Sequence, residues 1–271
     1  MCLFVASLNS GSNGNCYYVG NDHDAVLIDA GISCRETETR MARLGLSMRK
    51  VRAIFVSHEH SDHIRGLAVL AKKHNLPVYI TPLTLLHSGL QIAAGLLRSF
   101  CADVPVSIGS LTVTPFNKLH DAAEPHSFTI TCGDLKVGVF TDLGAVCENL
   151  IAHFQQCHAA FLEANYDEEM LERGSYPYHL KRRIRGGKGH LSNKQALALF
   201  EDYRPYFMSH LFLSHLSKDN NCPELALSLF KSRSTETEIV VASRYTESAL
   251  YQIAGAGQIA LPVLSTQFSL F

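Results

Sequence analysis

His58, His60, Asp62 and His63 fall within six consecutive residues, His58-Glu59-His60-Ser61-Asp62-His63, directly after the apolar run Ile54-Phe55-Val56. Imidazole nitrogen and carboxylate oxygen are the donors that Zn, Mn and Fe accept, and a loop leaving a strand can turn alternate side chains toward one point. The run therefore predicts a metal site that draws four ligands from one segment. Four donors from one loop do not close two coordination shells, so others must come from further strand ends on the same sheet edge. His120 follows the apolar run 111–116, Asp142 ends 137–141 and His215 ends 207–214, each a donor where a strand emerges.

The elements that must position these residues are legible in outline. Residues 3–8 and 16–19 read as strands around the Gly- and Asn-rich turn Asn9-Ser10-Gly11-Ser12-Asn13-Gly14-Asn15. Strands at 26–29 and 51–57 are separated by a helical pattern over 32–44. After the His/Asp run, Ile64, Leu67, Ala68, Leu70 and Ala71 recur at helical spacing, and a strand returns at 77–80, which makes a βαβ unit. A weaker helix is expected over 83–102, followed by strands at 111–116, 127–132 and 136–141. Further alternation predicts helices at 148–156, 193–202 and 223–231, with strands at 159–163, 206–214 and 238–242. No repeat or linker interrupts the chain, so residues 1–271 are expected to form one compact α/β domain.

With those residues in place, the sequence resembles the metallo-β-lactamase superfamily over nearly its whole length. The resemblance rests on Leu27-Ile28-Asp29-Ala30-Gly31, the H-x-H-x-D-H run, His120, Thr141-Asp142 and His215. More narrowly it is similar to the YycJ group, also called WalJ, through residues 10–17, through His120-Asp121-Ala122-Ala123-Glu124-Pro125 and through residues 215–221. The resemblance implies an αββα sandwich, two mixed β-sheets flanked by helices, with two divalent metal ions (Zn, Mn or Fe) at one edge. By it, one ion takes His58, His60 and His120, the other Asp62, His63 and His215, and Asp142 bridges. His126 competes with His120 for its place, but His126 opens a strand and the family pattern falls on His120. The other histidines, at 23, 74, 87, 153, 158, 179 and 210, are expected to be structural or solvated.

Two ions about 3.5–4 Å apart can lower the pKa of a bridging water and hold the oxygens of a phosphodiester during in-line attack. Asp62 and His190 are the catalytic candidates. His190, in Gly189-His190-Leu191-Ser192, would serve the leaving oxygen, and a similar Gly-His occurs in the tRNase Z branch of the superfamily. Ser192 and Gln195 also read as a capping box opening the helix at 193, which accounts for Ser192 but not for His190. Glu163 and Asn165 emerge at another strand end, where they read either as hydrogen-bond partners for a ligand histidine or as a plain helix start. Upstream, residues 176–188 hold two tyrosines and five cations, Lys181, Arg182, Arg183, Arg185 and Lys188, which would track a nucleic-acid backbone unless they form a merely wetted helix face.

The leading expectation is a metal-dependent phosphodiesterase acting on nucleic acid, with DNA favoured, and by the resemblance an exonuclease. A small-molecule hydrolase, such as a cyclic phosphodiesterase, and a non-hydrolytic metal-site protein are the alternatives. A formal net charge of -1 excludes a general attraction to polyanions, so any nucleic-acid contact must be local. Eight cysteines without a C-x-x-C pair, and a start without a positive flank, point to a reduced, cytoplasmic protein. Residues 248–271 carry no charge, yet Gly, Gln and Pro interrupt them, so a tail packed on the domain or on a second copy is expected rather than a membrane span. A homo-oligomer is left open.

Overall fold

A computed structural model describes residues 2–255 of the chain. Its strands are β1 (Cys2–Asn9), β2 (Cys16–Gly20), β3 (Ala25–Ile28), β4 (Val51–Phe55), β5 (Val78–Tyr79), β6 (Leu97–Arg98), β7 (Val106–Ile108), β8 (Leu111–Asn117), β9 (His126–Cys132), β10 (Leu135–Phe140), β11 (Ala159–Glu163), β12 (His210–Ser214), β13 (Glu238–Val241) and β14 (Tyr251–Ala254). They form two seven-stranded sheets, in the orders β14-β1-β2-β3-β4-β5-β6 and β13-β12-β11-β10-β9-β8-β7. Both sheets are mixed. The first is antiparallel through β3 and parallel from β3 to β6; the second is antiparallel from β7 to β10 and parallel from β10 to β13.

The layering follows from side-chain alternation along apolar strands. Ala53 and Phe55 of β4, Val137 and Val139 of β10, and Ala159 and Phe161 of β11 meet in one central cluster between the sheets. Their neighbours Ile54, Phe140, Ala160 and Leu162 point the other way, into two outer clusters under the helices. Helices α1 (Cys34–Arg43), α2 (Ser61–Ile64), α3 (Leu67–His74) and α4 (Pro82–Ser88) follow strands of the first sheet. Helices α5 (Glu148–Phe154), α6 (Glu168–Arg173), α7 (Tyr178–Ile184), α8 (Asn193–Tyr203) and α9 (Pro223–Lys231) follow strands of the second. The expected αββα sandwich is the observed one. The Ser192–Gln195 capping box is also present, with both of its hydrogen bonds made.

Two local expectations need correction. The helix expected over 83–102 ends at Ser88, because Gly89 adopts a left-handed conformation (φ 63°) and caps it, and the chain then passes into β6. The strand expected from residue 206 begins only at His210. Of the uncharged stretch 248–271, Tyr251–Ala254 packs on the domain as expected, by pairing with β1, and residues 256–271 lie outside the described residues. No helix among the described residues is long and apolar enough to cross a membrane.

Strand register brings the functional ends together. Phe140 pairs with Leu162, Leu162 with Leu213 and Glu163 with Ser214, so β10, β11 and β12 finish on the same edge. In the other sheet Ile28 pairs with Phe55, which aligns the ends of β3 and β4. Asp29, Asp142 and His215, just past three of these ends, all take left-handed backbone (φ 63°, 54° and 57°). Each such residue costs on the order of 1–3 kcal/mol, a strain that gathers where side chains must be aimed.

Candidate metal centre

His58 and His60 extend from the end of β4, and His60 caps the single helical turn α2, which carries Asp62 and His63. The run is thus half loop and half helix. His120 joins it from the loop after β8: His58, His60 and His120 offer nitrogens that lie within 4.8 Å of one another. Asp62, His63 and His215 form a second such group. Asp142 reaches toward both, with Oδ2 3.1 Å from His63 Nε2 and Oδ1 3.9 Å from His120 Nε2. His126 is elsewhere, its Nδ1 on the Glu124 carbonyl and its ring edge-on to Phe100.

The outer ring nitrogens are fixed by acceptors. His63 Nδ1 donates to Asp29 Oδ2 at 2.7 Å, His120 Nδ1 to the Gly189 carbonyl at 3.0 Å and His215 Nδ1 to Glu163 Oε1 at 3.0 Å. Ser57 Oγ donates to Asp29, which leaves it to accept from His58 Nδ1 at 2.9 Å. In the neutral tautomers that these contacts favour, each inner nitrogen carries a lone pair aimed at the others and at two carboxylates. His120 Nε2, His215 Nε2 and Asp142 Oδ2 are buried with no hydrogen-bond partner. Buried acceptors facing one another are unfavourable unless a cation lies among them, so these donors fit a divalent metal.

The charge balance agrees. Burial opposes an imidazolium at His63, but Asp142, Asp29 and Asp62 outweigh it and raise its pKa well above the ordinary value. Burial likewise opposes a charged His215, yet Asp142, Asp62 and Glu163 raise its pKa to about 10. His120 is lowered by burial to about 4, and burial also lowers His58. Asp142 is held well below the carboxylate range, against burial, by His215 and His63. The half of the site richest in carboxylates thus demands positive charge. Lys118 supplies some of it from below, its buried ammonium donating to the Thr141 carbonyl at 2.7 Å.

Other parts of the fold hold this arrangement in place. Asn15 Nδ2 donates to Asp62 Oδ2 at 3.1 Å, and the Asn15 N–H donates to the Asp62 carbonyl at 2.7 Å. Gly31 passes so close that an added Cβ would stand 1.6 Å from that carbonyl oxygen. Glu59 Oε1 accepts the Ala123 N–H at 2.7 Å and ties the His120 loop to the ligand run. Glu163, His190, Asp142 and His215 could also be grouped as a cation site. Glu163 is nevertheless committed, since its two oxygens accept from His190, His215 and the N–H groups of Leu143 and Leu191.

The domain pattern of the β-lactamase superfamily matches residues 24–215. The chain belongs to that superfamily. It is 38% identical over 229 residues to exodeoxyribonuclease YycJ of Bacillus anthracis, covering 83% of this chain and 87% of the relative. It is 32% identical over 224 residues to exodeoxyribonuclease WalJ of Streptococcus pneumoniae, covering 81% and 83%. Among solved structures, the metallo-β-lactamase fold protein YhfI from Bacillus subtilis superposes with a TM-score of 0.72 at 17% identity, over 93% of this chain and 99% of the other. As a β-lactamase superfamily protein with this donor cluster, the chain is a metal-dependent hydrolase.

A cavity of about 280 Å³ opens over the superfamily centre, lined by Ser12, His60, Asp62, His120, Arg183 and His190 among others. His190 thus stands in the site, with Nδ1 2.8 Å from Glu163 Oε1 and its ring 5.4 Å from that of His120. Of the five cations expected to meet substrate, Arg183 lines the cavity, held by Asp121 at 2.5 Å. Lys181 bonds the Glu172 carbonyl, Arg185 pairs with Glu172, and Arg182 and Lys188 are exposed around α7. Sequence reasoning gave no role to Asn15, Lys118, Asp29 or Gly31. Asp29 and Gly31 lie in the family motif at 27–31 and Asn15 in the narrower one at 10–17, but neither motif says what each residue touches, and Lys118 carries no signal.

Proposed function

We propose that the chain is a dinuclear-metal-dependent phosphodiesterase that shortens DNA from an end. The observation that carries the reading is the likeness to two exodeoxyribonucleases across more than four-fifths of the chain, joined to an intact donor cluster. His58, His60 and His120 would hold one divalent ion, Asp62, His63 and His215 the other, with Asp142 between. When bound, the ions supply Lewis-acid chemistry, polarising the scissile phosphodiester and making water acidic enough to attack it near neutral pH.

The chain's own residues provide the rest. Glu163 is fully buried, and although burial raises a carboxyl pKa, His190 and His215 pull this one down to about 2, so it stays charged. That charge holds the His190 proton on Nδ1 and leaves Nε2 as the ring nitrogen available to the cavity. His190 is thereby placed to serve the leaving oxygen, as a proton donor once Nε2 is protonated. Arg183 presents a guanidinium to the non-bridging oxygens of a phosphate in the cavity. Asp62 orients the attacking water as well as holding metal. Lys181, Arg182, Arg185 and Lys188 continue the positive surface along α7 for the strand beyond the cleaved bond.

The test is charge reversal at Lys181, Arg182 and Arg183. A DNA enzyme then loses salt-dependent affinity for oligonucleotides. Hydrolysis of oligonucleotides that is indifferent to the reversal would contradict a polymer track, and activity confined to a small cyclic phosphodiester would replace the reading.

A further inference from the structure

Residues 10–17 and 215–221, two segments that carry the narrower resemblance, meet beside the centre. Ser10 Oγ accepts the His215 N–H at 2.7 Å, and the chain leaving His215 walls a second cavity of about 220 Å³. Leu216, Pro223, Val241 and Ala242 make much of its lining apolar, while Lys218 and Arg244 bring positive charge. Arg244 lies at the boundary of the two cavities: Nη2 donates to Ser12 Oγ at 3.3 Å, and Ser12 lines the cavity over the metal centre. Arg244 Nη1 is buried with no hydrogen-bond partner. A guanidinium donor withheld from both water and an acceptor is costly, and an anion at this wall would satisfy it.

Two further groups complete the chemistry. Ser243 Oγ accepts the N–H groups of Tyr245 and Thr246, at 3.0 and 3.3 Å, which leaves its own proton for an acceptor in the cavity. Tyr245, 67% exposed, offers an aromatic face at the mouth. Apolar walls, an aromatic ring and unpaired cations together suit a nucleotide better than a bare anion or an apolar ligand.

We infer that this cavity is a subsite for the terminal nucleotide of a DNA strand, with its phosphate on Arg244 and Lys218 and its base against the apolar wall and Tyr245. The inference rests on the reading of the chain as a DNA exonuclease and deepens it. A cavity of this size takes one nucleoside and no duplex. Since Arg244 bonds Ser12, which lines the cavity over the metal centre, and Leu216 directly follows His215, a nucleotide seated here puts the adjoining phosphodiester next to the donors.

The experiment is calorimetric titration of metal-loaded protein with deoxyadenosine 5′-monophosphate and with deoxyadenosine, for the wild type, Arg244→Gln and the exposed Lys218→Gln. Direct attraction of phosphate to the metals is common to all three, so differences report the subsite. The monophosphate should bind about tenfold more weakly to Arg244→Gln, and measurably more weakly to Lys218→Gln, with deoxyadenosine unchanged. Equal monophosphate affinity in all three proteins overturns the inference. The readout needs no hydrolysis: variant-sensitive binding by a protein inert on DNA keeps the subsite and removes the exonuclease reading, whereas DNA hydrolysis with variant-insensitive binding does the reverse.

Discussion

Glu163 Oε1 lies 2.8 Å from His190 Nδ1 while its carboxylate is wholly buried behind the metal centre. The same oxygen is 3.0 Å from His215 Nδ1, so one charge orients a candidate ligand and a candidate proton donor together. Glu163→Gln keeps the shape and removes the charge. Activity should fall about 10–100-fold, the range for partners of ligand histidines, with KM little changed and metal affinity weakened. Steady-state kinetics beside a metal titration would check it; an unchanged kcat would show that the carboxylate is merely structural.

Asp29 performs the corresponding task for His63, and it also accepts the N–H and Oγ–H of Ser57, both at 2.8 Å. Asparagine tolerates the left-handed backbone that Asp29 adopts, so Asp29→Asn should fold. Its affinity for metal should drop about 10–100-fold in competition with a chelator of known affinity. Wild-type affinity would remove Asp29 from the metal site.

The approach of Gly31 to Asp62 sets a steric limit. Gly31→Ala places a methyl inside contact distance of a backbone oxygen, which a flexible side chain cannot relieve. Overpacking of this kind costs about 1–3 kcal/mol, to be read as a lower thermal midpoint together with reduced metal content. A midpoint equal to that of the wild type would mean that the two loops part freely.

Thiol chemistry gives a check independent of the centre. All eight cysteines are unpaired, Cys101 exposed and Cys157 buried. Burial pushes the Cys157 thiol up to about 12, while Lys136 pulls slightly the other way. The thiolate is the reactive form, and a raised pKa leaves it populated only at pH near or above that value. Iodoacetamide at pH 8 should therefore modify Cys101 in the folded protein and spare Cys157 until denaturation, as read by peptide mass spectrometry. Rapid labelling of Cys157 would show that the layer under α5 opens readily.

The parts of this design that the sequence displays are those in which chemistry and local pattern coincide. The run from His58 to His63 begins two residues after a buried strand, and His120, Asp142 and His215 each follow an apolar run, so both the donors and their edge are legible. Asn15 and Lys118 were not, because an asparagine in a glycine-rich turn and a lysine after a strand look like ordinary surface residues until the fold brings them under Asp62 and Asp142. Short strands such as β6 and β7 carry too few residues for a clear period. The helix expected beyond Ser88 does not form because Gly89 takes a left-handed conformation and ends it, whatever the propensity of residues 90–102. Of the basic segment, charge was visible and direction was not: only the turn of α7 decides that Arg183 faces the cavity while Arg182 faces water.

The most direct test of the account is the release of nucleotides from a 5′-labelled DNA oligonucleotide by metal-reconstituted protein, beside His120→Ala, with the metal content of both measured by elemental analysis. A dinuclear DNA exonuclease requires two divalent ions per wild-type chain and progressive shortening of the strand, and for His120→Ala a loss of metal with hydrolysis reduced at least about a hundredfold. A fully metal-loaded wild type that leaves the oligonucleotide intact would contradict it.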